Sequence, residues 1–508
     1  GYDWVVIGGA KFFYEVFFGI PVMTPEKSKF FEAIAMSSAL IGCIPGAMVS
    51  GFLSDKFGRK RSLITAALLF TISAVGSGLA NTFGVFLFYR IIGGVGIGIA
   101  SSISPVYIAE VSPKKIRGLF VSINQLTIVI GILAAQLVNF GIAEDAPTAD
   151  QVRLIADNEI IKEELPIDYD FENEFEEARK IVDEEALNKT KENLGDIEFY
   201  VPRNEIQQEL KEEEDEILMT AYLKNTWNGQ MAWRWMFWAE FVPAFLFFIL
   251  AFFIPESPRW LVKAGRDDKS MKTLSIIGGN EYAKTVVREI RETLMHNHAG
   301  VNLRALFAKK IRPILLIGLV LAAFQQWCGI NIVFNYAKEI FTTAGFGINA
   351  SLFNIVITGI VNLLFTVVAL MTVDGWGRRK LMLLGSIGLA FTYIILGFSY
   401  FLELQGIIVL ILILIAIAVY AMSLAPITWV VLSEIFPNRI RGAAMATATT
   451  TLWIASALLV ILFPYIREAF NLSGAFWIYA GICVLGFLFI RAKLPETKGK
   501  SLEEIEND

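Results

Sequence analysis

Histidine is nearly absent from this chain, with His296 and His298 the only two in 508 residues, and cysteine is almost as scarce at three. Cys43, Cys328 and Cys483 all stand inside apolar segments, which excludes the disulfide framework of a small secreted domain. Both histidines lie in the polar tract Met-His-Asn-His, so they cannot supply acid–base or zinc chemistry to an apolar interior. We read them as solvated loop residues rather than a metal pair. No nucleophile–base set, metal-ligand cluster or phosphate-cradling loop is present, so no cofactor and no enzymatic activity are expected. Nor is a nucleic-acid partner. Charge is also short: Asp, Glu, Lys and Arg make up 18% of the chain, less than a soluble protein of this length carries over two or three cores. No tract resembles a cleavable signal peptide. The sequence opens at Gly1-Tyr2-Asp3 already inside an apolar helix, so that helix is expected to be truncated at its start.

What the chain has in abundance is apolar length. Hydrophobic residues make up 55% of it, 40 of them Phe. A bilayer core takes roughly 20 apolar residues per helix, and lipid leaves backbone polar groups no partner outside the helix itself. Segments of that kind fall at 1–21, 31–54, 62–82, 85–111, 119–143, 231–254, 311–341, 348–373, 379–402, 406–434, 441–467 and 472–492. The expected fold is an all-α membrane protein with twelve transmembrane helices in two six-helix bundles. The halves are 1–254 and 306–492, joined by a helical linker at 255–305 and followed by a tail at 493–508. A continuous polar pore, as an ion channel requires, is missing; polar residues in the spans are scattered amides.

Basic residues cluster in short loops on one side: Lys56, Arg59, Lys60 and Arg61; Lys114, Lys115 and Arg117; Arg378, Arg379 and Lys380; Arg439 and Arg441. The positive-inside rule makes that side cytoplasmic, together with the linker and both termini. Residues 144–227 oppose them with 26 acidic against 9 basic residues. The stretch follows the fifth helix and so belongs outside the cytoplasm, as an acidic solvated cap in which 172–185 and 207–216 are expected to be helical. Asn188-Lys-Thr190 within it matches a glycosylation acceptor.

An internal repeat divides the chain. Asp55-Lys-Phe-Gly-Arg59 recurs as Asp374-Gly-Trp-Gly-Arg378, and Glu110-Val-Ser-Pro-Lys-Lys-Ile-Arg117 as Glu434-Ile-Phe-Pro-Asn-Arg-Ile-Arg441. Pro255-Glu-Ser-Pro pairs with Pro495-Glu-Thr-Lys. The last two motifs are 145 residues apart in the first half and 61 in the second, and the excess of 84 is the length of the acidic stretch. That stretch is therefore an insertion into one of two equivalent halves. Parallel repeats about an axis normal to the membrane characterise the major facilitator superfamily, whose substrate site lies near midplane between the halves. The paired Asp55, Arg59, Glu110 and Arg117, with Asp374, Arg378, Glu434 and Arg441, are expected to form a cytoplasmic gate of carboxylate–guanidinium bridges.

Four further motifs carry a specific resemblance. Tyr89-Arg90-Ile-Ile-Gly93-Gly94-Val-Gly96-Ile-Gly98, Pro255-Glu-Ser-Pro-Arg-Trp-Leu261, Gln325-Gln326-Trp-Cys-Gly-Ile-Asn331 and Pro495-Glu-Thr-Lys-Gly499 resemble the signatures of the sugar porter family of that superfamily. Within the family the chain is most similar to bacterial xylose–proton symporters, with some features of facilitative glucose transporters. The resemblance implies secondary transport of a monosaccharide, hexose or pentose, by a monomer with both ends in the cytoplasm of a cell whose inner membrane it spans. It places sugar contacts at Gln125, Gln325, Gln326, Asn331, Asn362, Trp429 and Trp453. The chemistry agrees: amides pair with sugar hydroxyls in either sense, and indoles cover the apolar face of the ring. Ile132, Asn335, Leu424 and Leu452 depart from the xylose-symporter pattern, which expects glutamine, tyrosine, tryptophan and glutamine there, so a pentose is not preferred over a hexose. Ile132 instead matches facilitative relatives.

Ionisable residues within spans are functional candidates. The resemblance assigns proton coupling to Asp3, Arg90 and Glu240, with Asp3 releasing Arg90 when protonated; a static ion pair is the competing reading. Lys11 and Glu15, one turn apart in the first span, have no assigned role. A facilitative uniporter and a non-transporting sugar sensor are the alternatives on the same fold, and the short tail after Lys493 speaks against the sensor.

Overall fold

With no water to bond them, backbone groups in lipid must be satisfied along the chain's own helices, and every regular element among the described residues is helical. In this computed structural model the described residues are 1–113, 117–148, 151–153, 217–224, 226–296, 308–309, 311–436 and 440–496. Within the helices, the side chains of 117–119, 121–122, 293–296, 373–375, 433 and 441 stand outside the description.

The first five spans are Tyr2–Phe17, Pro25–Phe57, Arg59–Leu79, Phe83–Val111 and Arg117–Ile142. The sixth is interrupted, with a π-turn at Asn228–Ala232 followed by Trp233–Ala239 and Phe241–Ala251. The seventh is broken into Arg312–Trp327, Ile330–Asn335 and Ala337–Thr343. The eighth and ninth are Ile348–Trp376 and Arg378–Phe401, and the tenth divides into Ile407–Met422 and Leu424–Ile435. The last helix, Arg441–Lys493, holds two spans that part at Asn471, whose φ of 56° and ψ of −177° leave the helical region. Ten helices among the described residues are long and apolar enough to cross a membrane. Counting the 16-residue first helix, and the last helix as two spans, the crossings number twelve.

Each interruption has a local cause. Gly329 sits in the left-handed region at φ 90°, and a Cβ there would lie 2.7 Å from the ring of Tyr479, so the seventh span breaks where only glycine fits. Pro243 has no N–H for the carbonyl of Ala239, and Glu240 takes up a tighter turn by donating its N–H to Phe237 O at 3.1 Å. Pro426 likewise has no N–H for the carbonyl of Met422, and Ser423 at φ −128°, ψ −87° separates the two parts of the tenth span. The second span starts at Pro25 rather than 31, because Thr24 and Pro25 begin a helix whose exposed first turn is too polar to register as membrane-spanning.

In the first half the second and third spans pack on the fourth, the third on the sixth and the first on the fifth; in the second half the ninth and seventh pack on Arg441–Lys493 and the eighth and ninth on the tenth. Two broad seams join the halves, the second span against Arg441–Lys493 and the fifth against the eighth, and the first span also meets Ile330–Asn335 and Ala337–Thr343 of the seventh. Between the halves along the chain, Pro258–Lys263 and Asp267–His296 share a small core of Val262, Leu274, Ala283 and Val287. His298 and the side chain of His296 lie outside the described residues. So do 172–185, 207–216 and Asn188 of the acidic stretch; its two described feet pack Val152, Ile217, Leu218 and Tyr222 against Val16 at the end of the first span.

Candidate functional site

The break at Gly329 concentrates amides in the apolar interior. Gln325 and Gln326 end the first segment of the seventh span, and Asn331 and Asn335 lie on the next. Gln325 donates to the Tyr420 hydroxyl at 2.5 Å, Gln326 donates to Gln325 Oε1, Asn331 donates to Gln326 Oε1, and Asn335 donates to the Asn331 carbonyl at 2.8 Å. The result is a continuous buried chain of neutral hydrogen-bonding groups running from the tenth span through the seventh. Such a chain recognises hydroxyls without the cost of a buried charge. Asn362 is buried on the eighth span, Gln125 is half-buried on the fifth, and Trp429 is half-buried on the tenth. Trp453 crosses between halves and donates its indole N–H to Ser101 Oγ at 3.3 Å. The seventh-span amides are thus joined to one another, while Gln125, Asn362 and Trp429 are carried by the fifth, eighth and tenth spans. Tyr420 was missed in the sequence because a tyrosine in an apolar run carries no sign of which way it faces. The departures Ile132, Leu424 and Leu452 are all buried.

A second centre lies between the first and fourth spans. Arg90 is 1% exposed, Asp3 5% and Glu240 3%. Arg90 donates to the Asp3 carboxylate and, at 3.1 Å, to the Asp3 carbonyl, and its guanidinium lies 5.3 Å above the Phe237 ring. A Cβ on Gly93 would sit 2.8 Å from Asp3 Oδ2, so glycine one turn beyond Arg90 admits the carboxylate. Asp3 Oδ2 and Glu240 Oε2 are buried without a hydrogen-bond partner. Two carboxylates and one guanidinium therefore share a buried site with unmet acceptor capacity, which a proton can fill.

On the side of the basic loops, Arg59 pairs with Glu110 at 2.9 Å and with Asp55 at 3.5 Å, and Arg378 pairs with Glu434 at 3.2 Å. Glu110 also accepts from Ser257 at 2.5 Å, and Asp55 meets Lys263 at 3.3 Å. The Arg59 and Arg378 bridges stay within their own halves, while Ser257 and Lys263 come from the linker. The side chains of Arg117, Asp374 and Arg441 lie outside the described residues. Glu256, which the sequence reading quoted only as part of a motif, accepts from the backbone N–H of Arg59 at 2.8 Å, and Glu496 does the same for Arg378 at 3.0 Å.

Residues 1–157 and 217–508 match the family described as "Sugar (and other) transporter". The chain belongs to this family of sugar transporters. The unmatched residues fall within the acidic stretch. The arabinose-proton symporter of Bacillus subtilis is 36% identical over 507 residues, covering 100% of this chain and 91% of the relative. Among solved structures, the xylose transporter XylE of E. coli in a partially occluded inward open conformation aligns with a TM-score of 0.74 and 32% identity, over 98% of this chain and 95% of that one. The proton:xylose symporter XylE bound to 6-bromo-6-deoxy-D-glucose aligns with a TM-score of 0.74 and 34% identity, over 100% of this chain and 95% of that one. The fold is accordingly the twelve-helix major facilitator fold.

One residue of this sugar transporter family member carried no sign in the sequence, and another, Lys11, gains partners beyond the Glu15 one turn away. Gln136, 2% exposed on the fifth span, reaches across a seam to donate to Thr358 Oγ1 at 3.5 Å, with its own Oε1 unpartnered. And Lys11, fully buried, holds Glu32 at 2.7 Å, Glu339 in closer contact still and Glu15 at 3.6 Å. Lys338 meets Glu15 at 2.7 Å, and Arg467 meets Glu32 at 3.3 Å and Glu339 at 3.9 Å.

Proposed function

We propose that this chain imports a monosaccharide, hexose or pentose, by proton symport through alternating access. The observation that carries the reading is the buried amide chain from Tyr420 through Gln325 and Gln326 to Asn331, set in the same membrane interior as the Asp3–Arg90 pair. The amides, with Gln125, Asn362, Trp429 and Trp453, hold the sugar ring. Asp3, neutralised by a proton, releases Arg90; Glu240 shares the field of both. Coupling follows if proton and sugar favour the same conformation, since each then raises the affinity for the other. The relatives' transport of arabinose and xylose with protons supports this chemistry, and the analogue in the XylE complex, a substituted glucose, supports a hexose as readily as a pentose. The bacterial relatives support an inner-membrane location. The basic loops support cytoplasmic termini, and the bridges of Arg59 and Arg378 lie on that side as a gate. Function as a monomer rests on the absence of any need for a second copy to complete either centre.

Facilitative uniport is the second reading, and buried Ile132 favours it by removing an amide where the xylose-symporter pattern expects glutamine. Proteoliposome uptake decides between them. Labelled xylose, glucose, galactose, arabinose and fructose are offered with and without an inward proton gradient. Symport predicts accumulation above the external concentration only with the gradient; uniport predicts equilibration in both cases. No uptake of any sugar overturns both.

A further inference from the structure

The first and seventh spans meet in a buried charge cluster next along the chain to the seventh-span amides. From the first half come Lys11, Glu15 and Glu32; from the second, Lys338, Glu339 and Arg467. Glu32 stands near the start of the second span, whose other end carries Lys56 and the basic loop, so the cluster lies on the membrane face opposite the basic loops. Arg467 agrees, lying 26 residues beyond Arg441 along the last helix. Three positive and three negative groups balance. Separated by half, the first group carries one net negative charge and the second one net positive charge.

We infer that Lys11 is the positioning residue of an inter-bundle clamp that holds the outer side of this transporter closed and fixes the outer part of the broken seventh span. Lys11 is fully buried, so its charge is tolerable only while carboxylates surround it. Two of these, Glu15 and Glu32, travel with its own half, but Glu339 belongs to the segment Ala337–Thr343 that directly follows Ile330–Asn335 with its sugar-facing amides. The Lys11 ammonium also lies 4.5 Å over the ring of Tyr336, the residue between those two segments, and Tyr336 donates to the Val460 carbonyl at 2.8 Å. Outer opening must therefore part Lys11 from Glu339, Glu15 from Lys338 and Glu32 from Arg467 together. A contact of the neighbouring seam between the fifth and eighth spans adds to them: Asn349 exchanges hydrogen bonds with the backbone of Ala146 at 3.2 and 3.3 Å. Breaking one ionic pair leaves the others under-compensated, so the closed and open arrangements are discrete, and the cluster sets their populations.

The inference rests on alternating access, but its test reads conformation without sugar. A cysteine placed by Thr358→Cys, buried at the seam of the fifth and eighth spans, is labelled with a membrane-impermeant maleimide added outside. Lys11→Met and Glu339→Gln, each on that background, are expected to raise the labelling rate about threefold or more by increasing the outward-open fraction. Lys11→Arg keeps the charge and is expected to label at the parent rate. External half-saturation for the transported sugar is expected to fall with the same variants while maximal rate falls too, because the closed state becomes harder to reach. Unchanged labelling in both neutralised variants, or Lys11→Arg labelling as fast as Lys11→Met, overturns the clamp. Should Lys11→Met not fold, Glu339→Gln and Glu15→Gln answer alone. Faster labelling in a chain that moves no sugar would sink the transport reading and leave the clamp standing.

Discussion

Glu256 and Glu496 do the same work in the two halves, each turning its carboxylate onto the first backbone N–H of a helix far upstream. Glu256 caps the third span at Arg59 from 197 residues away, and Glu496 caps the ninth at Arg378 from 118 residues away. An anion at a helix N-terminus meets unpaired N–H groups and the positive end of the dipole. The repeated Pro-Glu motif is thus a helix cap that ties the end of each six-helix half to its third member.

Glu256→Gln and Glu496→Gln each remove that charge but keep a hydrogen-bond acceptor. Each is expected to lower stability by about 1–2 kcal/mol. The effects should add in the double variant, since the two caps share no partner. Thermal unfolding followed by tryptophan fluorescence in detergent measures this; unchanged melting in all three variants would show that solvent already satisfies these helix starts.

Asp3→Asn takes away the proton-binding carboxylate and leaves an amide to meet Arg90. The sugar accumulation ratio is expected to fall to about one while exchange of internal for external sugar continues, since coupling is lost but the amide chain is not. Continued uphill accumulation would remove Asp3 from the coupling mechanism. Arg90→Leu strips the buried carboxylate of its partner and is expected to cost roughly 3–5 kcal/mol, visible as loss of folded protein.

Gln326→Leu cuts the amide chain at its centre. Half-saturation for sugar is expected to rise about tenfold or more, each tenfold being roughly 1.4 kcal/mol of lost interaction. Stability is expected to fall by about 1–3 kcal/mol, because leucine leaves the buried Gln325 Oε1 and Asn331 amide without their partner. Isothermal binding and melting on the same preparation separate the two effects.

Gly359 lies where Gln136 crosses the seam, and a Cβ there would sit 1.9 Å from Gln136 Oε1. Gly359→Ala is expected to slow uptake about tenfold or more by forcing the fifth and eighth spans apart. Adding Gln136→Ala removes the obstructing amide and should restore the rate. A double variant as slow as the single one would place the defect elsewhere in the eighth span.

The sequence by itself determined the twelve crossings in two bundles, and it singled out residue types that the structure brings together. It could do so because lipid forces spans into helices of fixed length, and because motifs recur at matching intervals. Asp3, Arg90 and Glu240 were legible for the same reason: a charge in an apolar run stands out. The tertiary structure decided the partners. That Lys11 meets Glu339, 328 residues away, that Arg59 prefers Glu110 over Asp55, and that Gln136 faces Thr358 all depend on how helices cross and rotate against one another. Neither periodicity nor hydropathy encodes those angles; they are set by packing of side chains drawn from both halves at once.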